Sequence, residues 1–137
     1  MLSVDDKQAL AELVYRYGLA TDARDWEALA DVIADDAVFD VSALGGPTHK
    51  GLATIVEHLA QRSIPTAHLF ANLIIEHDPD SAEQPAAAIH LRGMIPDPEG
   101  RVVVTSMRYH ARRRDGAWRL VALVAESLLR PGPEIRR

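Results

Sequence analysis

Apolar residues recur at helical spacing over the first third of the chain and then switch to a two-residue alternation, dividing the sequence into a helical opening and a sheet. Leu10, Leu13, Val14 and Tyr17 fall at i, i+3, i+4 and i+7, one face of a helix predicted over residues 4–21, and Ser3 with Asp6 is a capping-box-like start for it. Tyr15, Gly18 and Asp22 form a second stripe beside the first, so this helix is expected to be wedged between layers. Asp25 is a good N-cap for a second helix that carries Trp26, Leu29, Ala30, Val32 and Ile33. The Asp35-Asp36 pair is expected to end it, because both side chains compete with the helix for backbone groups. Residues 37–41 predict a short strand, and residues 42–50, with Gly45, Gly46 and Pro47, a loop. Leu52, Ile55, Val56 and Leu59 then predict a third helix over residues 51–62, punctuated by Pro65.

From Ala67 the period is two. His68, Phe70, Asn72 and Ile74 are expected on one face of a strand and Leu69, Ala71, Leu73 and Ile75 on the other, both apolar enough for burial on both sides. Strands follow at residues 86–95, 101–114 and 118–129, with a loop at 78–84, a hairpin loop at 96–100 and a strong two-residue hairpin signal at Asp115-Gly116. The tail RPGPEIRR reads as irregular. The order predicts one α+β domain over residues 1–137, in which a cone-shaped, curved antiparallel sheet wraps around three N-terminal helices and encloses a pocket.

A chain of 137 residues can bury one sizeable core without staples. The absence of cysteine leaves His, Asp and Glu as the available metal ligands. Twenty acidic against fifteen basic side chains, a formal charge of -5, argue against a nucleic-acid partner, and the arginines at 108 and 112–114 read as a solvated hairpin. No apolar run approaches the roughly 18 residues of a membrane span, and Asp5 and Asp6 stand where a secretory signal carries positive charge. A soluble, cytoplasmic protein without a membrane partner is expected. Outward apolar positions on the long strands, as in VALVA at 121–125, predict a homodimer through the open sheet face.

The corner Asp25-Trp26, the run Asp35-Asp36-Ala37-Val38-Phe39, the Gly51 helix, TAHLFAN at 66–72 and DGAWRL at 115–120 together resemble the nuclear transport factor 2-like superfamily in its SnoaL-like branch. The resemblance spans residues 5–128. It implies the cone fold but no single chemistry, since the superfamily hosts dehydratases, isomerases, cyclases, epoxide hydrolases, dioxygenase small subunits and non-enzymes. In the scytalone dehydratases an aspartate just before the second helix and a histidine on the strand after the third are catalytic, and these positions match Asp22 and His68. Other catalytic positions of that group differ here, falling on Thr21, Val41, Ile95, Thr105 and Met107. The ketosteroid isomerases offer a first-helix tyrosine that matches Tyr17. Their general base falls on Val41 and their oxyanion-hole acid on residues 105–107, where no acid stands, and Asp40 is one residue out of register.

What the resemblance implies is chemically coherent. A carboxylate bonded to one ring nitrogen of a histidine fixes the tautomer and raises the basicity of the other nitrogen, so His68 would be the general base and then acid, with Asp22 orienting it. Tyr17 or Asn72 could donate to a substrate carbonyl, and Phe39, Phe70, Thr105 and Met107 would line the pocket. No metal or organic cofactor is needed. His49, His58, His77, His90 and His110 lack metal-like spacing and read as structural or solvated, and Glu126 is a possible second acid if it points inward. The reading is a cofactor-independent lyase or isomerase, dehydratase-like, acting on a small hydrophobic hydroxylated carbonyl compound such as a polyketide, steroid or aromatic derivative. The alternatives are a non-catalytic ligand-binding or assembly module of the same fold, in which Asp22 only ends its helix and His68 is a satisfied core histidine, and an epoxide hydrolase using Arg92 or Arg108. Tyr15 reads as core or pocket lining.

Overall fold

The computed structural model describes residues 1–62, 66–96, 99 and 101–129. Pro65, residues 97, 98 and 100 of the expected hairpin loop, and the tail at 130–137 lie outside the described residues. Helix α1, Val4–Ala23, begins with the capping box its sequence announces: the Asp6 N–H donates to the Ser3 hydroxyl and the Ser3 N–H to the Asp6 carboxylate, both at 3.0 Å. It ends on Arg24 in a left-handed conformation. Helix α2 is only Trp26–Ala30, capped by Asp25, which accepts from the Ala28 N–H at 3.1 Å.

The second helix is therefore shorter than its apolar spacing predicts. Val32 and Ile33 are buried, but in strand geometry: β1 runs Ile33–Asp40, and the Val32 carbonyl accepts from the Leu120 N–H at 2.9 Å. A short apolar run fits a helix turn and a buried strand equally, and pairing with a distant strand decides between them. Asp35 and Asp36 end no helix, because they sit exposed in a bulge of β1 between Ile33 and Val38. A 3₁₀ turn at Ser42–Leu44 and a short strand β2, Thr48–Lys50, occupy what reads as loop. Helix α3, Leu52–Ala60, follows.

Four long strands complete the chain: β3 at Leu69–His77, β4 at Ala86–Pro96, β5 at Val102–Arg114 and β6 at Ala117–Leu129. The sheet order is β2-β1-β6-β5-β4-β3. β3 to β6 form an antiparallel meander, but β1 joins β6 in parallel, so the sheet is mixed rather than wholly antiparallel. Asp115 at φ 51° and Gly116 at φ 78° supply the two left-handed positions of the β5–β6 hairpin. The core lies between the inner sheet face, with Ile89, Tyr109, Leu120 and Leu123, and the helices, with Leu10, Val14, Ile55 and Leu59.

A bulge in β3 overturns part of the face assignment. The register to β4 shifts between Ala71 and Ile74, where Asn72 takes a φ of 56°. One extra residue swaps the two faces beyond it. Phe70, Leu73 and Ile75 pack on the core, whereas Asn72 is exposed and leaves the His68 face. The other face of β3 is not buried in the chain, Leu69 being 64% and Ile74 57% exposed. Glu126 follows the inward, buried Ala125 and so falls on the outer face of β6, where it is exposed and is no inward acid. Among the described residues no helix is long and apolar enough to cross a membrane.

Candidate active site

The site is built where α1 meets the entry to β3. Gly18 has no side chain to keep them apart: a Cβ there would lie 2.8 Å from Cε2 of Phe70 and 3.2 Å from Cβ of His68. One turn further on, that closeness brings Asp22 to His68. The ring Nδ1 lies 2.5 Å from Asp22 Oδ1, and the backbone N–H of His68 donates to Asp22 Oδ2 at 2.8 Å. A carboxylate can only accept, so Nδ1 carries the proton and Nε2 keeps its lone pair. The His68 side chain is 5% exposed and that of Asp22 22%. Burial holds the imidazole below its ordinary pKa, the hydrogen bond to Asp22 opposes this, and the Arg62 guanidinium adds to the depression. At neutral pH the ring is thus a neutral base with its partner fixed.

Beside His68 lies a cavity of ≈ 70 Å³. Tyr17 from α1, Phe39 from β1, and Thr105 and Met107 from β5 line it, as expected of these residues. Burial pushes the Tyr17 hydroxyl up to about 12, so it stays protonated and is a donor, not a base. Phe70 is not on the wall: it stacks behind the His68 ring, centroids 5.8 Å apart, and packs against Tyr17. Asn72 is absent from the wall for the reason given by the bulge. Tyr15 is exposed on the outer side of α1, not core or lining. Arg92 and Arg108 point out of the cone into solvent, which removes the arginines an epoxide-opening site requires. An open groove of ≈ 740 Å³ on the far side of α1, along Glu12, Arg16, Leu19 and Trp118, contains neither member of the His–Asp pair.

Further residues line the cavity, and two of them bear on its chemistry. Tyr109, buried on β5 two residues beyond Met107, donates its hydroxyl to Met107 Sδ at 3.4 Å. Arg62, just past α3, also lines the cavity. Its signal was present in the spacing: it lies seven residues after Ile55 and three after Leu59, on the stripe that α3 turns inward. The Arg24 guanidinium donates to the Arg62 carbonyl at 3.2 Å and to that of Ala60, tying the last turn of α3 to the corner after α1.

The other histidines serve packing and surface pairs. His49 and His58 stack at 4.2 Å beside Phe39, His77 bonds Gln84 at 3.1 Å, and His90 and His110 each lie 3.6 Å from a carboxylate, of Glu76 and Asp78. Among the described residues no three His, Asp or Glu side chains converge as metal ligands would.

Three helices packed on a curved, mixed six-stranded sheet form the fold of the nuclear transport factor 2-like proteins. Within that class the chain belongs to the SnoaL-like domain family, whose profile matches residues 3–124. Among solved structures it is similar to a candidate aromatic ring hydroxylase from Novosphingobium aromaticivorans, with 26% identity, a TM-score of 0.74 and coverage of 96% of this chain and 94% of that one. An NTF2-like protein with a cystatin-like fold from Novosphingobium aromaticivorans is 23% identical, with a TM-score of 0.72 and coverage of 89% and 81%. The hexachlorocyclohexane dehydrochlorinase LinA-type3 from Novosphingobium barchaimii is 20% identical, with a TM-score of 0.70 and coverage of 98% and 97%. No curated protein matches the chain.

Proposed function

We propose that this protein is a cofactor-independent lyase or isomerase, dehydratase-like, with His68 as its base and Asp22 as the residue that orients it. The observation that carries the reading is the 2.5 Å contact between His68 Nδ1 and Asp22 Oδ1, with the ring buried against a small apolar cavity. The substrate class is a small, mostly apolar hydroxylated carbonyl compound. His68 Nε2 takes a proton from the carbon next to the carbonyl, and the electron pair moves to the carbonyl oxygen. The Tyr17 hydroxyl donates to the enolate as it forms. The resulting imidazolium returns its proton to the β-hydroxyl, which leaves as water while the enolate collapses to the unsaturated carbonyl product. For isomerisation the same proton is returned to a different carbon. A structurally similar protein is named a hexachlorocyclohexane dehydrochlorinase, and loss of hydrogen chloride is also an elimination, which supports the reaction class.

The direct test is a titration of the histidine ring resonances with and without Asp22→Asn. Asp22 favours the charged ring, whereas burial and Arg62 disfavour it. The wild-type His68 midpoint is therefore expected below the ordinary histidine value, and lower still once the carboxylate is gone. An unmoved midpoint in Asp22→Asn would rule out the dyad. Turnover should follow the same group, rising with pH through the His68 midpoint.

One observation favours a second reading, a non-catalytic binding module. Asp22 Oδ2 also accepts from the His68 backbone, so the carboxylate stitches β3 to α1 whether or not any chemistry follows. A compound that binds and is recovered unchanged, with equal affinity for Asp22→Asn and His68→Ala, would select this reading.

The outer sheet face, with Leu69, Ile74, Met94 and Leu128 exposed, is assigned to a homodimer contact. Light scattering is expected to give twice the chain mass, and a monomer mass at micromolar concentration would dismiss the contact.

A further inference from the structure

Apart from the His68–Asp22 pair, Arg62 is the one charged side chain on the described wall of the cavity. It stands just past α3, whose Ile55 and Leu59 are buried, and the Arg24 hydrogen bonds to the Ala60 and Arg62 carbonyls hold the end of α3 in place. Among the described residues no carboxylate forms an ion pair with it. Asp22, the acid of the site, uses both oxygens on His68. A guanidinium on an apolar wall loses hydration, and a counter-charge within reach compensates for that loss. The cavity also presents the Tyr17 hydroxyl and the buried Thr105, whose hydroxyl is a potential second donor. A fixed cation with hydroxyl donors beside it is the donor set that recognises a carboxylate.

We propose that Arg62 is the anion-recognising residue of this cavity and that the substrate carries, besides its carbonyl, a carboxylate, which Arg62 holds while His68 reaches the C–H next to the carbonyl. This deepens the function proposed above and rests on it for the role of His68, but not for the binding of the anion. The bound carboxylate offsets Arg62, and the Asp22 carboxylate on Nδ1 stabilises the imidazolium that forms, with the enolate, when His68 takes the proton.

The experiment compares acetate, butyrate and benzoate with their amides, reading ligand affinity and the His68 ring resonances in wild type, Arg62→Gln and Arg62→Lys. The groups facing His68 are Asp22 and Tyr17 from α1, Tyr109 from β5 and Arg62 itself. Removing the Arg62 cation is expected to raise the His68 midpoint, and a bound carboxylate to raise it in wild type. At least one carboxylate is expected to bind wild type roughly tenfold to a hundredfold more tightly than its amide. Arg62→Gln loses that preference while binding the amide as before, and Arg62→Lys retains part of it. Equal binding of acids and amides, no saturable binding of any of the three carboxylates, or an undiminished preference in Arg62→Gln overturns the proposal. Its failure is separable from that of the dyad: if the preference depends on Arg62 while Asp22→Asn leaves the His68 midpoint unmoved, the anion site stands and the base does not.

Discussion

Replacing His68 with Ala is expected to lower kcat/KM by roughly 10²- to 10⁴-fold on any compound the wild-type protein converts, the range contributed by a positioned general acid or base. No neighbour is fitted to take over. Tyr17 is held protonated to about 12, burial raises Tyr109 further above its ordinary range, and Asp22 meets the ring on the side away from Nε2. Arg62 offers only hydrogen-bond donors and no acceptor. Because the ring is buried, its removal also leaves a void, so the kinetic comparison belongs beside a denaturation curve for each variant. His68→Gln, which fills more of the space without the basicity, should be as inactive as His68→Ala. A variant that stays folded and loses less than about threefold in kcat/KM would leave no role for His68 as the base.

Gly18→Val is expected to destabilise the fold by about 3 kcal/mol, at the upper end of what overpacking costs. On an open helix surface, replacing a glycine usually stabilises, since Gly is about 1 kcal/mol worse than Ala in a helix interior. Here the sign reverses. A Cβ would stand 2.8 Å from the Phe70 ring and 3.2 Å from His68 Cβ, and Phe70 is itself packed against Tyr17 and the core. A branched side chain therefore has to push β3 off α1 and lengthen the contact between Asp22 and His68. Gly93→Ala makes the contrast, because its closest neighbour is the terminal methyl of Met107, which can rotate aside, and its cost should stay near 1 kcal/mol. Denaturant midpoints at unchanged slope report both changes. Wild-type stability in Gly18→Val would mean that α1 and β3 are not in the tight contact that builds the site.

Much of the architecture was readable because it rests on local signals. The capping box at Ser3, the inward stripe of α1 and the Asp115-Gly116 hairpin each depend on residues a few positions apart, and all three are found in the fold. Asp22 and His68 were named from their positions in a resemblance, and the fold brings them into contact across 46 residues of sequence. Arg62 was equally legible in the spacing of α3, but an arginine near a helix end reads as solvated until something packs over it. Val32 and Ile33 were misread for the opposite reason. Their apolarity was clear, yet only the parallel partner β6, nearly ninety positions away, selects strand over helix.

Composition and periodicity by themselves determined an α+β chain of helices followed by strands, acidic, without thiols, and apolar enough to close one core. What the tertiary structure decided are the long-range facts. One extra residue at Asn72 turns a side chain that alternation placed in the pocket out to solvent, and the inward Ala125 leaves Glu126, a candidate acid, on the outer face. The parallel pairing of β1 with β6 makes the sheet mixed. Strand alternation is a local rule with period two, so a single bulge set by packing reverses every face beyond it.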